Sequence, residues 1–202
     1  QLGTPFTVGD ITFTLGESLT NHYVITDNYS NNLIYNTGSN QVGSIELNFA
    51  KGATLEFWMK KDVFPDSGET QNEIIFSISN EENDLFQVAT DVTASTKILT
   101  TFSKALTSEE FVYEFETDLT TIADEKWHHY ALAFSTNSVG YVGEFYVDGK
   151  FKEKKTYTKS SPALNLTGTL DATVAASSLS SYLGDGGLLG YIDEVRLWKT
   201  TR

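Results

Sequence analysis

The sequence predicts an all-β domain that folds as a sandwich of two antiparallel sheets. Apolar and polar residues alternate with a period of two along most of the chain, and β-branched and aromatic residues fill these runs. Clusters of Gly, Pro, Asn and Asp separate the runs and are typical of turns. The 202 residues are 40% hydrophobic and 13% aromatic, which is enough to bury one substantial core. We therefore predict a single domain over residues 1–202.

The strand candidates follow this pattern in chain order. They are residues 10–15, 44–49, 54–60, 73–79, 85–90, 97–102, 111–117, 127–135, 143–147, 150–157 and 190–198. Asp148-Gly149 separates two of these runs, and an Asp-Gly pair suits the type I′ turn that joins adjacent antiparallel strands. The only passable helical stretch, residues 104–110, is too short to be more than a turn.

The charge of the chain argues against anionic partners. It has 14 Lys and Arg against 27 Asp and Glu, a formal net charge of -13, which repels phosphate backbones and anionic lipid headgroups. We therefore expect neither a nucleic-acid partner nor membrane insertion, and no apolar run reaches the roughly 18 residues of a membrane span. The acidity serves solubility, or it attracts a cation such as calcium. The chain has no cysteine, which excludes disulfides and thiolate sites.

Three motifs follow one another along the chain: residues 54–60 (TLEFWMK), residues 127–132 (WHHYAL) with 144–149 (EFYVDG), and residues 190–198 (GYIDEVRLW). In this order they resemble the laminin G-like family. The resemblance covers about residues 44–202, and residues 1–43 match only loosely as opening strands and loops.

The resemblance implies a concanavalin A-like jelly roll that acts as a recognition or adhesion module. Its expected ligand is a carbohydrate or a protein, with or without the help of calcium. The expected location is extracellular, on a cell surface or on a virion surface. Because the chain begins with Gln1 rather than Met, we expect the remainder of a larger parent chain as a further partner. The same sandwich also carries lectins and certain glycan hydrolases, so the fold alone does not assign the task.

The sequence argues against an enzyme. Hydrolysis of glycans on this scaffold would need paired carboxylates in the pattern Glu-x-Asp-x-x-Glu on one strand. The acidic residues in 82–84 and in 116–118 begin such a pattern, but Gln87 and Thr121 stand where its last acid should be. His128 and His129 alternate faces of a strand and cannot bind one ion together. We expect these imidazoles to hydrogen-bond to neighbouring strands.

The closing strand carries the first candidate metal ligand. Alternation places Tyr191, Asp193, Val195 and Leu197 on one face, which looks core-facing. A carboxylate on an apolar face needs hydrogen bonds or a metal, so Asp193 either caps backbone N–H groups of the N-terminal segment or is a structural calcium ligand. A β-bulge near Glu194 would reverse these faces.

Two loops carry the other candidates. Residues 80–84 and 184–187 offer the oxygen ligands that calcium prefers, so Asp84 and Asp185 are alternative ligands for one calcium at most. The favoured alternative for both loops is an ordinary solvated turn. Tyr141 and Tyr182 lie beside loops and are candidates to stack on a sugar, although a scattered tyrosine more often packs within the sandwich. Tyr182 and Asp185 at the second loop are the candidate ligand-binding residues.

Three function classes therefore compete. They are a recognition module, a structural or decoration module of a surface or virion assembly, and a glycan-active enzyme of the same fold. A polar surface lined by exposed aromatic rings favours recognition, whereas a large apolar contact face favours assembly.

Overall fold

The computed structural model describes residues 6–8, 11–15, 45–49, 51–61, 72–91, 96–104, 109–158, 165–168, 170–175 and 186–202. Every regular element in these ranges is a strand. In chain order these are β1 (Phe6–Val8), β2 (Ile11–Leu15), β3 (Ile45–Asn48), β4 (Ala53–Lys61), β5 (Glu73–Asn80), β6 (Leu85–Thr90), β7 (Lys97–Lys104), β8 (Glu109–Glu116), β9 (Trp127–Thr136), β10 (Tyr141–Val147), β11 (Lys150–Tyr157), β12 (Asn165–Gly168), β13 (Leu170–Val174), β14 (Gly186–Gly187) and β15 (Gly190–Trp198). Within these ranges no helix is long and apolar enough to cross a membrane.

The strands form a sandwich of two main sheets. The larger has the order β1-β2-β13-β5-β6-β7-β8, with β14 beside β5, and the smaller has the order β11-β10-β9-β4-β15. Strands β12 and β3 form a separate pair. Neighbours run antiparallel except for β13 beside β2 and β14 beside β5, which are parallel. The predicted all-β jelly-roll sandwich is therefore confirmed.

The predicted strands agree closely with the observed ones. Residues 85–90, 150–157 and 190–198 match β6, β11 and β15 at both ends, and the other predicted strands differ by one or two residues at one or both ends. The Asp148-Gly149 turn is confirmed, because both residues have positive φ, 51° and 71°, as a type I′ turn requires. Strands β1, β12, β13 and β14 were not predicted, since they are short and contain Thr, Asn or Gly rather than long apolar runs.

The core lies between the two main sheets and is rich in aromatic rings. Phe102 of β7 lies 4.8 Å from Phe86 of β6, 5.0 Å from Phe134 of β9 and 4.6 Å from Phe49, measured between ring centroids. All four rings are buried, and a fully buried side chain of this size contributes about 1.5–3 kcal/mol. This cluster joins the two sheets at one end of the sandwich.

A buried ion pair joins the sheets where β4 ends and β5 begins. The Lys61 ammonium lies 3.1 Å from the Glu73 carboxylate, and their side chains are 0% and 5% exposed. The second carboxylate oxygen of Glu73 accepts a hydrogen bond from the Leu189 amide at 2.8 Å. The contact between opposite charges offsets part of the cost of burying each of them at this depth.

Candidate functional site

The outer face of the five-stranded sheet carries exposed aromatic side chains together with charged ones. On β4 the core takes Leu55, Phe57 and Met59, so the alternating residues point outward. Strand register then places the outward residues of β9 and β15 beside them. We call this surface the aromatic face; it consists of Glu56, Trp58, Lys60, Trp127, His129, Tyr191, Asp193, Arg196 and Trp198.

Two tryptophans of the aromatic face are open to solvent. Trp58 is 37% exposed and Trp127 is 41% exposed. Lys60 is the register partner of both Trp127 and Tyr191, and its ammonium lies 5.1 Å from the centre of the Tyr191 ring. Trp58 packs against His129, with ring centroids 5.3 Å apart. The rings are thus held in place while part of each indole stays accessible.

Glu56 fixes the polar groups of the aromatic face. Its Oε1 accepts a hydrogen bond from Trp198 Nε1 at 3.0 Å and lies 3.5 Å from Arg196 Nη1. Its Oε2 lies 3.8 Å from His129 Nε2. Arg196 also donates from Nη2 to Glu194 at 2.9 Å. Two groups of the neighbouring strand β15, the Trp198 indole N–H and the Arg196 guanidinium, therefore hold this carboxylate in place.

Asp193 belongs to the aromatic face and not to the core, so the predicted core-facing position was wrong. Ile192 is fully buried instead, and the register of β15 against β4 shifts between Asp193 and Arg196. Glu194 has a φ of 49° in this β-bulge. The bulge reverses the predicted faces for Tyr191 and Asp193 while Val195 stays buried. Asp193 Oδ1 accepts a hydrogen bond from the Glu194 amide at 2.7 Å, so it caps an amide of its own strand. Most of the N-terminal segment lies outside the described residues, so its cap by Asp193 stays a prediction.

Calcium binding at Asp84 or Asp193 stays a prediction, and the described residues around them show no full set of ligands. Asp84 is buried in a tight turn, where its amide donates to Asn80 Oδ1 at 2.8 Å and its carboxylate lies 3.5 Å from Asn80 Nδ2. Among the residues that the structure describes, no three His, Asp or Glu side chains form a possible metal site, whereas calcium takes six to eight oxygen ligands. Tyr182 and Asp185 lie outside the described residues.

His128 connects a loop to a hairpin turn. Its Nδ1 lies 2.8 Å from Asp148 Oδ2 and its Nε2 lies 3.3 Å from Asp124 Oδ2. Carboxylates only accept hydrogen bonds, so both contacts are hydrogen bonds only when the imidazole carries two protons. The backbone amide of His129 also donates to Asp148 Oδ1 at 3.0 Å. We call His128, Asp124 and Asp148 the histidine latch; the partners of this imidazole lie in a loop and a hairpin turn and not on the neighbouring strands that were predicted.

The latch shifts the pKa values of all three groups. Burial lowers the pKa of His128, but the hydrogen bonds and the charges of Asp148 and Asp124 outweigh burial and raise it above its usual value. Burial raises the pKa of Asp124, yet the Lys126 amide and His128 bring it below its usual value. The pKa of Asp148 is lowered against burial in the same way, by His128 and the His129 amide. The charged form of each group is thus favoured.

Neither incomplete acidic pattern lies along one strand as glycan hydrolysis would require. Residues 82–84 belong to the turn between β5 and β6, and residues 117–121 form a loop after β8. Asp118 in that loop pairs with Lys152 at 3.0 Å. These carboxylates therefore do not present a matched pair on a sheet surface.

A family model of laminin G type, described as the concanavalin A-like lectin/glucanases superfamily, matches residues 35–202. The chain belongs to this superfamily. A comparison with curated proteins found no significant match. The matched residues of the superfamily include every strand of the five-stranded sheet, so the aromatic face lies wholly within the family domain.

Solved structures share the fold of this superfamily member at low sequence identity. The botulinum neurotoxin serotype G binding domain has a TM-score of 0.51 at 13% identity, over 84% of this chain and 39% of that chain. The NanB sialidase of Streptococcus pneumoniae has a TM-score of 0.51 at 16% identity, over 78% and 25%. A SAP-like pentraxin of Limulus polyphemus has a TM-score of 0.50 at 9% identity, over 84% and 76%. This chain thus spans about two fifths of the toxin chain and a quarter of the sialidase.

Proposed function

We propose that this domain is a non-catalytic carbohydrate-binding module of an extracellular or surface protein, and that the aromatic face receives the saccharide. The observation that carries the proposal is the exposure of Trp58 and Trp127 on one sheet face beside polar groups that neighbouring strands hold in place. Membership of a superfamily that includes lectins supports the same ligand class.

The chemistry of the face suits a sugar. One side of a pyranose ring presents C–H groups that pack against the electron-rich face of an indole, and its hydroxyls need hydrogen-bond partners at the rim. Trp58 offers such an indole, and Glu56 and Arg196 stand on the adjacent row of the sheet. A mixed surface of this kind favours recognition of a polar ligand over association through an apolar face.

Two other functions receive less support. The remaining large exposed apolar residues in the described ranges are scattered: Val112 on β8, Val139 and Leu189 in loops, and Phe151 on the edge strand β11, where it packs against Tyr146. They provide no broad apolar surface of the kind that assembly would need. The acidic residues of loops 82–84 and 117–121 provide no paired carboxylates on a strand.

A glycan array, run with and without calcium, tests the proposal. We expect selective binding, and the ligand found can then be measured by calorimetry. Trp58→Ala and Trp127→Ala should each weaken binding roughly 30-fold, because truncating a central aromatic contact costs about 2 kcal/mol. Both variants should unfold at nearly the wild-type temperature, since the indoles are partly exposed.

Val112→Ala is the matched control, because this exposed side chain lies on β8 of the other sheet. It should bind as the wild type does. An array without binding, or binding that survives both tryptophan substitutions, would contradict the proposed face. Tight self-association together with an empty array would instead favour an assembly module.

A further inference from the structure

We propose that Asp193 is a specificity-determining residue of the aromatic face and that the ligand there is an uncharged saccharide rather than an acidic one. This inference rests on the proposed function, because it names the class of sugar and one residue that selects it.

The β-bulge places Asp193 beside the exposed indole. Asp193 is the register partner of Trp58 across β15 and β4, and the side chains of directly opposed residues lie about 5 Å apart at Cβ. Without the bulge, the alternation that buries Val195 would turn Asp193 toward the core. A non-glycine residue with positive φ, Glu194 at 49°, is uncommon and costs conformational energy. Bulges of this kind often re-aim a side chain next to a binding site.

The hydrogen bonding of Asp193 leaves one oxygen for a ligand. Oδ1 accepts from the Glu194 amide at 2.7 Å and so fixes the carboxylate plane. Within the described ranges Asp193 has no ion-pair partner and Oδ2 has no hydrogen-bond donor. A sugar stacked on Trp58 therefore has a fixed acceptor for its hydroxyls at the edge of the ring.

The charges of the face select against acidic sugars. The Arg196 guanidinium is already neutralised by two carboxylates, those of Glu56 and Glu194. Lys60 keeps its charge, but its ammonium lies over the Tyr191 ring and not over Trp58. A carboxylated sugar on Trp58 would thus stand next to the Asp193 carboxylate. The net charge of -13 adds a long-range repulsion for anions.

Asp193→Asn tests the role of the carboxylate charge. The asparagine Oδ1 can still accept a hydrogen bond from the Glu194 amide, but an uncharged NH2 group replaces the acceptor oxygen Oδ2. We compare wild-type protein and variant on pairs of glycans that differ only in a terminal acidic sugar, with lactose and sialyllactose as the first pair. We expect wild-type protein to prefer the neutral member of each pair that it binds. The variant should bind neutral glycans about tenfold more weakly, as loss of a hydrogen bond to a charged group predicts, and its preference over the acidic member should shrink.

Asp118→Asn is the control, since Asp118 is an exposed carboxylate paired with Lys152 away from the aromatic face. It should leave both affinities unchanged. This inference would be overturned if wild-type protein bound the acidic members equally or more tightly, or if Asp193→Asn kept the wild-type preference. The proposed function would still hold in either case, provided that binding depended on the tryptophans. Absence of any glycan binding by wild-type protein would overturn both.

Discussion

Removal of the imidazole by His128→Gln should destabilise the domain more at pH 5.5 than at pH 8.5. The folded-state pKa of His128 is raised, so its contribution to stability is fully present below the unfolded value of about 6.5. That contribution is lost as the pH rises through the raised pKa. The pKa values of Asp124 and Asp148 are lowered, so their contributions are present above about pH 4 and are lost as the pH falls through the folded values. The histidine latch should therefore be strongest in mildly acidic solution.

The expected magnitude follows from the geometry of the latch. The His128 side chain is 13% exposed and contacts Asp148 at 2.8 Å, but the Asp148 side chain is 45% exposed. Hydrogen bonds to charged groups contribute about 1.5–3 kcal/mol, and solvent screening at Asp148 reduces this. We expect a coupling between His128 and Asp148 of about 1 kcal/mol at pH 5.5, which corresponds to about 2–4 °C in Tm for a domain of this size.

A double-mutant cycle measures this coupling. His128→Gln, Asp148→Asn and the double variant are unfolded in urea at pH 5.5, 7.0 and 8.5. Asp148→Asn preserves the type I′ turn, because Asn also adopts positive φ readily, and its Oδ1 still accepts from the His129 amide. A coupling free energy that is zero at pH 5.5, or one that grows as the pH rises, would refute the reasoning.

Two further predictions concern the buried ion pair and calcium. Glu73→Gln should lower the free energy of unfolding by about 3 kcal/mol, because it removes the carboxylate charge that contacts the fully buried Lys61 ammonium. Glu114→Gln in the exposed pair with Lys97 should change the free energy of unfolding much less. Equal losses in urea unfolding would contradict the role assigned to burial. Calcium binding through Asp185 stays a prediction. If it occurs, the melting midpoint of the wild-type protein should be higher in calcium than in chelator and should rise with calcium concentration, and the midpoint of Asp185→Asn should not respond. An unchanged midpoint in wild-type protein would exclude it.

The sequence predicts the sheets well because alternation and turn chemistry are local signals. The motif in residues 54–60 alternates without interruption, and the structure accordingly buries Phe57 and exposes Trp58. The same rule failed in β15, since a bulge adds a residue and breaks the period of two between Asp193 and Arg196. The partnership of strands distant in sequence, such as β4 with β15, is not a local signal. For that reason sequence reasoning did not assign Trp58, Trp127 or Arg196 to a site.

A motif match alone does not distinguish a structural tryptophan from one that is available to bind a ligand, because the motifs contain both buried and exposed tryptophans. Trp198 is buried, bonds to Glu56 through its indole N–H and is covered by the Arg202 guanidinium at 3.8 Å. Its contacts are satisfied within the domain, as expected for a structural side chain. Trp58 lies on the same face, but more than a third of its side chain remains exposed, with His129 on one side and Asp193 as its strand partner. That unequal burial is the reason why Trp58 rather than Trp198 is the residue to substitute in a binding experiment.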